Sequence, residues 1–139
     1  MKKIIFIVII LIANTPIFAE QNSNFFNKIN EVLPAKEVFK ITYEENNKNL
    51  EINWNIEEGY YLYLNSVDIK INKNKRKYKI ISGNLYDHED EFFGKTKIIR
   101  NKFKISIKNL EISDNNNIDI YYQGCSDKGF CYPIENLKI

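Results

Sequence analysis

Along most of this chain every second side chain is apolar, and this period of two restricts the fold to β-structure. Successive side chains of a strand point to opposite faces, so the pattern describes strands with one buried face. The clearest example is residues 50–56, where Trp54 and three aliphatic residues are expected in the core. The pattern recurs in five further segments: residues 39–43, 67–71, 78–80, 103–107 and 118–122. Such short strands, separated by turns rich in Asn and Lys, predict an all-β fold, an antiparallel β-sandwich.

Two segments depart from the alternation. Residues 22–33 carry apolar side chains at helical spacing and are followed by Pro34, which predicts a short amphipathic helix or an irregular arm. Residues 87–94 place four acidic side chains beside Phe92 and Phe93, which predicts a loop. That loop is either a solvated turn whose rings tuck against the sandwich edge, or a lid whose ring covers a reactive group.

The first residues have the composition of an export signal. Lys2 and Lys3 precede an unbroken apolar run over residues 4–13, and Ala19 ends a sequence suited to cleavage. This run is shorter than the about 20 residues that span a bilayer. We therefore expect a signal peptide at residues 1–19 and one mature domain at residues 20–139, with an uncleaved anchor as the alternative.

The mature chain would be close to electrically neutral. Removal of Lys2 and Lys3 lowers the number of Lys and Arg residues from 20 to 18, which equals the 18 Asp and Glu residues. Nucleic acids and anionic membranes select proteins with an excess of basic residues. The charge balance therefore argues against both as partners.

Both cysteines of the chain, Cys125 and Cys131, lie in one short aromatic segment, residues 121–133. The intervening residues form turns readily, so the two Cα atoms can reach the about 4.4–6.8 Å that a disulfide requires. In the oxidising compartment of an exported protein, a disulfide is favoured over free thiols or a metal site. The residues alone leave open whether that disulfide is a structural staple or a redox pair.

Four blocks of the sequence resemble the family of N-terminal periplasmic domains of the thiol-disulfide reductase DsbD, also called disulfide bond corrector domains. The blocks are residues 33–39 (LPAKEVF), 50–63 (LEINWNIEEGYYLY), 88–94 (HEDEFFG) with Arg100, and 122–133 (YQGCSDKGFCYP). The last block is the most specific, because thioredoxin-like proteins space their redox cysteines as Cys-x-x-Cys instead. The resemblance implies an immunoglobulin-like sandwich with the redox pair on a hairpin at one end.

The resemblance also implies a function and roles for both cysteines. The domain would relay electrons between thioredoxin-like partners in the periplasm, without a cofactor or metal, through a reversible Cys125–Cys131 disulfide. Cys131 would form the mixed disulfide with the partner, and Cys125 would resolve it. Phe92 falls on the family's lid position, where a ring limits access to the sulfurs until a partner docks.

Further tuning residues follow from the same resemblance. The acidic pair before the lid falls on Asp90 and Glu91, and tyrosines facing the cysteines fall on Tyr61 and Tyr63. If Asp90, Glu91 and Asp127 lie close to the thiols, like-charge repulsion raises the thiol pKa above its usual value of about 8.5. Reduced thiols would then stay protonated and unreactive.

The partners follow from the part of the family pattern that the chain contains. The large members continue into a membrane-spanning segment and a thioredoxin-like domain, so we expect a free-standing, monomeric version. Its donor would be a membrane reductase or the thioredoxin-like domain of one. Its acceptor would be a disulfide isomerase or a cytochrome c maturation thioredoxin.

Two other classes compete with this interpretation. A non-catalytic immunoglobulin-like binding module would use the disulfide only as a staple, so an enzymatic role as an oxidoreductase stays open. A copper-handling protein or other metal site is disfavoured, because His88 is the only histidine and no Met follows the signal.

Overall fold

The alternating segments of the sequence form antiparallel β-strands. The computed structural model describes residues 32–46, 48–108 and 117–139. The strands within these ranges are β1 (Phe39–Asn46), β2 (Asn49–Ile56), β3 (Tyr60–Tyr63), β4 (Asp68–Ile71), β5 (Asn74–Arg76), β6 (Lys79–Asp90), β7 (Gly94–Ile107), β8 (Ile118–Tyr122), β9 (Gly124–Ser126) and β10 (Glu135–Lys138). One helical turn, α1 (Ala35–Val38), precedes β1, and a 3-10 turn (Leu64–Ser66) follows β3. Neither helix of these ranges has the length and apolar character needed to cross a membrane.

Two predictions for the N-terminal part of the chain concern residues outside these described ranges. The signal peptide expected at residues 1–19 lies outside the described ranges, and so does the helix expected at residues 22–33, apart from Val32 and Leu33. Those two residues are not helical. The residues from Val32 to Ile139 form one compact unit.

The strands form two antiparallel sheets. The larger has the order β1-β2-β7-β3-β9 with β6 also paired to β7, and the smaller has the order β10-β8-β4-β5. β2 pairs with residues 102–107 of β7, whereas β3 pairs with residues 98–99. Because β6 pairs along both stretches, β2 and β3 share one edge of β7 and β6 takes the other. The predicted all-β, immunoglobulin-like antiparallel β-sandwich is confirmed.

The inward faces of both sheets share one core. Trp54, predicted to be buried, is 1% exposed and packs against Phe103 with ring centroids 5.4 Å apart. Each fully buried large apolar side chain contributes about 1.5–3 kcal/mol by leaving water. The core comprises Val38, Phe39, Leu50, Ile52, Trp54, Ile56, Leu62, Val67, Ile69, Ile71, Ile99, Phe103, Ile105, Ile107, Ile118, Ile120, Tyr122 and Tyr132.

A second, smaller apolar cluster lies on the opposite face of β3. Leu62 points into the main core, and the alternation of a strand therefore sends Tyr61 and Tyr63 to the other face. In β7, Ile99 and Ile98 divide in the same way. The second cluster consists of Tyr61, Tyr63, Ile98 and Cys125, with Cys131 packed against it. The two cysteines therefore lie on the face of the larger sheet that points away from the main core.

The prediction of a loop at residues 87–94 is wrong for its first half. β6 continues to Asp90, pairing Asp87 with Lys97 and Asp90 with Gly94. Most of β6 is exposed on both faces, so no period of two marks it in the sequence. Pairing with β7 gives the backbone N–H and C=O groups of β6 their hydrogen-bond partners, and this does not depend on which side chains β6 carries. The turn itself is residues 91–93.

Gly124 at the start of β9 occupies a place where no side chain fits. A Cβ there would overlap the Tyr61 carbonyl oxygen and lie 2.5 Å from Phe39 Cζ. The Phe39 ring is held in turn by Tyr132, with ring centroids 5.4 Å apart. Close approach of β9 to β3, and so the position of Cys125, depends on this glycine.

We expect Gly124→Ala to lower the free energy of unfolding by about 3 kcal/mol, because the added methyl group overpacks a rigid site. Gly129→Ala is the control. Gly129 has a φ of +83° and open space around its Cα, so only the left-handed backbone is penalised, by about 1 kcal/mol. Urea unfolding of both variants with the disulfide intact measures the difference. Equal losses would contradict the packing role of Gly124.

Candidate redox site

Cys125 and Cys131 form a disulfide across a short hairpin, as predicted. The Ser126 amide donates to the Phe130 carbonyl at 2.8 Å, and the Tyr132 amide donates to the Gly124 carbonyl at 3.0 Å. The cysteines lie opposite each other between these two hydrogen bonds, with Cα atoms 4.0 Å apart. Such a non-hydrogen-bonded pair is the closest approach that antiparallel strands offer. The backbone therefore brings the two sulfurs together.

The two cysteines differ in their exposure to solvent. Cys125 pairs with Tyr61 in the sheet and is 0% exposed, whereas Cys131 is only partly buried. A thiolate that attacks a disulfide must reach one sulfur in line with the bond. Cys131 is therefore the more accessible of the two sulfurs.

The Tyr63 hydroxyl lies between the disulfide and a carboxylate. Its oxygen is 3.2 Å from Cys125 Sγ and 4.0 Å from Cys131 Sγ, and it donates a hydrogen bond to Asp90 Oδ2 at 2.6 Å. Burial, and then the hydrogen bond to Asp90, raise the pKa of Tyr63 well above its usual value. Tyr63 is therefore a neutral phenol beside the sulfurs, and its one proton is donated to Asp90.

Asp90 receives hydrogen bonds from the turn that follows it. Its Oδ1 accepts from the Phe92 and Phe93 amides at 2.8 and 2.7 Å, and His88 Nε2 lies 3.2 Å from Oδ2. Loss of hydration acts to raise the pKa of Asp90. The hydrogen bonds from Tyr63, Phe93 and Phe92 and the proximity of His88 outweigh it and hold that pKa below its usual value. The carboxylate thus fixes the turn and the tyrosine together.

The predicted lid residue is Phe92, but the ring of its turn that contacts the site is that of Phe93. Phe93 packs on Tyr63 with ring centroids 4.3 Å apart, whereas Phe92 is 62% exposed and Glu91 is also exposed. Of the predicted tuning residues, Tyr63 and Tyr61 lie against Cys125, and Asp90 is connected to the sulfurs only through the Tyr63 hydroxyl. The lid role of Phe92 and the tuning role of Glu91 stay predictions.

Tyr61 connects the cluster to a cation. Its ring packs on Tyr63 at 5.5 Å and on His88 at 5.1 Å, and the Arg100 guanidinium lies 5.1 Å from its centroid. The roles of His88, Phe93 and Arg100 in this cluster were missed in the sequence. Their only signal was their place in or beside the block at residues 88–94.

Metal binding finds little support in this cluster. Within residues 32–46, 48–108 and 117–139, no three side chains of His, Cys, Asp and Glu are placed to hold an ion. Both sulfurs are also committed to the disulfide. That the site works without metal or cofactor stays a prediction.

Comparisons with known proteins identify relatives along the whole chain. A family model described as "Thiol:disulfide interchange protein DsbD, N-terminal" matches residues 30–139. The chain is 36% identical over 139 residues to thiol:disulfide interchange protein DsbD of Pasteurella multocida (strain Pm70), covering 100% of this chain and 23% of that protein. It is 32% identical over 141 residues to the same protein of Escherichia coli (strain K12), covering 100% and 24%. The chain thus spans about a quarter of the length of these relatives.

Two solved structures share the fold. The crystal structure of the Neisseria meningitidis DsbD n-terminal domain in the reduced form matches with a TM-score of 0.70 and 22% identity, over 79% of this chain and 89% of that one. The DsbD N-terminal domain in its complex with the PilB N-terminal domain, also from Neisseria meningitidis, matches with a TM-score of 0.64 and 21% identity. That match covers 78% of this chain and 86% of the other.

We expect the contribution of Asp90 to stability to disappear in acid. A carboxyl whose pKa is lower in the folded state stabilises the fold above its unfolded pKa, about 3.9 for Asp, and loses this effect as the pH falls through the folded pKa. Asp90→Asn should therefore lower the free energy of unfolding by about 2 kcal/mol at pH 7, the size typical of hydrogen bonds to a charged group. The difference should shrink as the pH falls below about 3.9 and through the lowered pKa of the folded state.

Urea unfolding between pH 2 and pH 7 measures this difference. Asp87→Asn is the control, because the Asp87 side chain is 91% exposed and its removal should leave the profile unchanged. A stability difference for Asp90→Asn that is constant over this range would contradict the stabilising role of the charged carboxylate.

Proposed function

The chain belongs to the family of DsbD N-terminal domains, and we propose that it exchanges disulfides with thioredoxin-like proteins through reversible opening of the Cys125–Cys131 bond. The observation that carries this proposal is the unequal burial of the pair. Cys125 is fully buried and Cys131 is only partly buried. An inert staple has no need of one approachable sulfur, whereas exchange requires one.

Reduction of the domain takes two steps. A thiolate of a reduced partner attacks Cys131 Sγ, the bond between the two cysteines breaks, and Cys125 leaves as a thiolate that takes up a proton. The second thiolate of the partner then attacks the partner's own sulfur in the mixed disulfide and releases Cys131, which is also protonated. Two electrons and two protons thereby reach the domain, and the partner becomes a disulfide.

Oxidation of the domain reverses these steps with a second partner. Cys131 attacks the disulfide of that partner, and Cys125 then attacks Cys131 Sγ in the mixed disulfide. The domain regains its own disulfide and the second partner leaves as a dithiol. Each turnover restores the starting state, so the domain acts as an electron relay.

Tyr63 and Asp90 support the first step by stabilising the thiolate that forms at the buried Cys125. A thiolate buried at Cys125 is costly unless a donor meets it. The Tyr63 hydroxyl lies 3.2 Å from that sulfur and can turn its proton from Asp90 towards it. Before the bond opens, the hydrogen bond to Asp90 holds the hydroxyl beside this sulfur. This arrangement lets Cys125 leave without contact with bulk water.

The turn at residues 91–93 is proposed as the lid of the site. Two amides of the turn bind Asp90, and Phe93 packs on Tyr63, so the turn is attached to the groups that serve the sulfurs. Phe92 at its tip remains the proposed cover for Cys131, and Glu91 beside it is proposed to raise the pKa of the reduced thiols by like-charge repulsion. A docking partner would displace this turn.

Location and partners follow from the family. We propose that residues 1–19 direct export to the periplasm and are removed. The fold is shared with a Neisseria domain solved in a complex with the PilB N-terminal domain, which supports a protein as the exchange partner. We propose a membrane reductase or its thioredoxin-like domain as donor, and a disulfide isomerase or cytochrome c maturation thioredoxin as acceptor.

Trapping of mixed disulfides tests the proposed exchange directly. Cys125→Ala removes the resolving thiol, so Cys131 should remain bonded to its partners when the variant is exported in its own cell and free thiols are then blocked. Mass spectrometry of the adducts should identify thioredoxin-like proteins. Cys131→Ala is the control and should yield none of them. Absence of specific adducts from both variants would contradict the proposal and favour a binding module with a structural disulfide.

Alkylation of the reduced protein tests the lid. We expect Phe92→Ala to increase the rate at which iodoacetamide modifies Cys131 several-fold, because a ring that limits access is removed. Tyr43→Ala is the control, since Tyr43 is a similarly exposed aromatic residue on β1, 49% exposed. If Phe92→Ala reacts at the wild-type rate and Phe93→Ala reacts faster, Phe93 is the covering ring and the lid role of Phe92 is wrong.

A further inference from the structure

Arg100 of β7 binds the turn that separates the two cysteines. Its Nη2 donates to Asp127 Oδ1 at 2.7 Å and its Nη1 donates to Asp127 Oδ2 at 3.0 Å. The two hydrogen bonds form the bidentate geometry in which guanidinium and carboxylate planes match. Hydrogen bonding to Asp127 also raises the pKa of Arg100. The turn is thereby attached to a strand at the centre of the larger sheet.

The Arg100 guanidinium makes a second contact at the site, with the Tyr61 ring. It lies over the ring of Tyr61, whose backbone pairs directly with Cys125 in the sheet. The Asp127 amide also donates to the Gly59 carbonyl at 2.8 Å, so both the side chain and the backbone of Asp127 are held. A contact between Arg100 and Asp127 therefore bears on the position of both cysteines.

We propose that Arg100 and Asp127 are a positioning pair that keeps the redox hairpin closed after its disulfide is reduced, so that Cys125 stays beside Cys131. This inference rests on the proposed exchange function and deepens it. Neither residue touches the reacting sulfurs in this role. Both act through the conformation of the hairpin.

The chemical reason is the local concentration of the resolving thiol. In a mixed disulfide at Cys131, Cys125 must attack Cys131 Sγ before the adduct is lost or oxidised elsewhere. Holding two reacting groups together replaces an encounter by a step within one structure. A closed hairpin therefore shortens the life of the mixed disulfide and favours the internal disulfide over the dithiol.

The pair also changes the electrostatic expectation drawn from the sequence. Asp127 was expected to raise the thiol pKa by repulsion, but its carboxylate is paired with Arg100. The positive and negative charges offset each other at the hairpin. Neutralising Arg100 therefore makes the local charge more negative, whereas neutralising Asp127 makes it more positive. This difference allows the positional effect and the charge effect to be measured separately.

The test is a double-mutant cycle on the whole protein with Arg100→Gln, Asp127→Asn and the double variant. The equilibrium constant for disulfide formation is measured in dithiothreitol redox buffers by alkylation and mass analysis. Each single variant should favour the dithiol by about fourfold, the effect of losing one partly exposed ion pair. At 29.6 mV for each tenfold change, this makes the reduction potential less negative by about 18 mV. The double variant should shift no further than either single variant.

A second measurement separates position from charge. The pH dependence of iodoacetamide alkylation gives the thiol pKa of Cys131 in each reduced variant. Arg100→Gln should raise it and Asp127→Asn should lower it, although both shift the redox equilibrium the same way. Arg100→Lys keeps the charge but loses the bidentate geometry, so it should retain the wild-type thiol pKa and still favour the dithiol.

Lys97→Gln is the matched control, because it breaks an ion pair of the same 2.7 Å length to Asp87, between β6 and β7. It should leave the equilibrium constant unchanged. Wild-type constants in Arg100→Gln and Asp127→Asn, or additive shifts in the double variant, would overturn the positioning pair while leaving the proposed function intact. Failure of the wild-type protein to equilibrate with the dithiol would overturn the proposed function and this inference together.

Discussion

The pairing of β3 with β9 is the constraint on which the site depends. It sets Leu62 opposite Gly124 and Tyr61 opposite Cys125, so one face of the pair belongs to the core and the other to the cysteines. A shift of β9 by one residue would turn Cys125 towards the core and away from the face that carries Tyr61. Gly124 holds this register, because only a residue without a side chain allows the Phe39 ring and the Tyr61 backbone so close.

The polar part of the site is organised around one carboxylate. Asp90 is the last residue of β6. Its carboxylate accepts hydrogen bonds from two amides of the following turn and from the Tyr63 hydroxyl, which lies beside the sulfurs. Tyr63 lies 27 positions from this strand end and its turn in the sequence, and meets them at the Asp90 side chain. Such a charged acceptor is tolerated in a mostly covered position because its oxygens are supplied with donors. The position of the proposed lid is therefore linked to the group beside the disulfide.

The sequence predicted those parts of the fold where one face of a strand is buried. β2 and β4 follow the period of two closely, and Trp54 lies in the core as that period requires. β6 escaped prediction because exposure on both faces removes the pattern. β9 is three residues long and buried throughout, too short for any period to appear.

The site was predictable in its cysteines and less so in their surroundings. The spacing of Cys125 and Cys131 predicts a local disulfide from chain geometry alone. The contact of Phe93 with Tyr63 depends on how Asp90 folds the turn, which is a tertiary contact without local signal. The binding of Arg100 to Asp127 likewise joins two residues 27 positions apart.

The hydrogen bonds on either side of the disulfide carry a consequence for recognition. The bonds from Ser126 to Phe130 and from Tyr132 to Gly124 are made by the backbone and do not depend on the bond between the sulfurs. If these bonds are kept on reduction, the hairpin presents nearly the same outline in both oxidation states. In the proposed exchange, a donor and an acceptor would then bind the same docking surface. In that proposal, the direction of electron transfer is set by the reduction potentials of the two partners and not by a change in the shape of the domain.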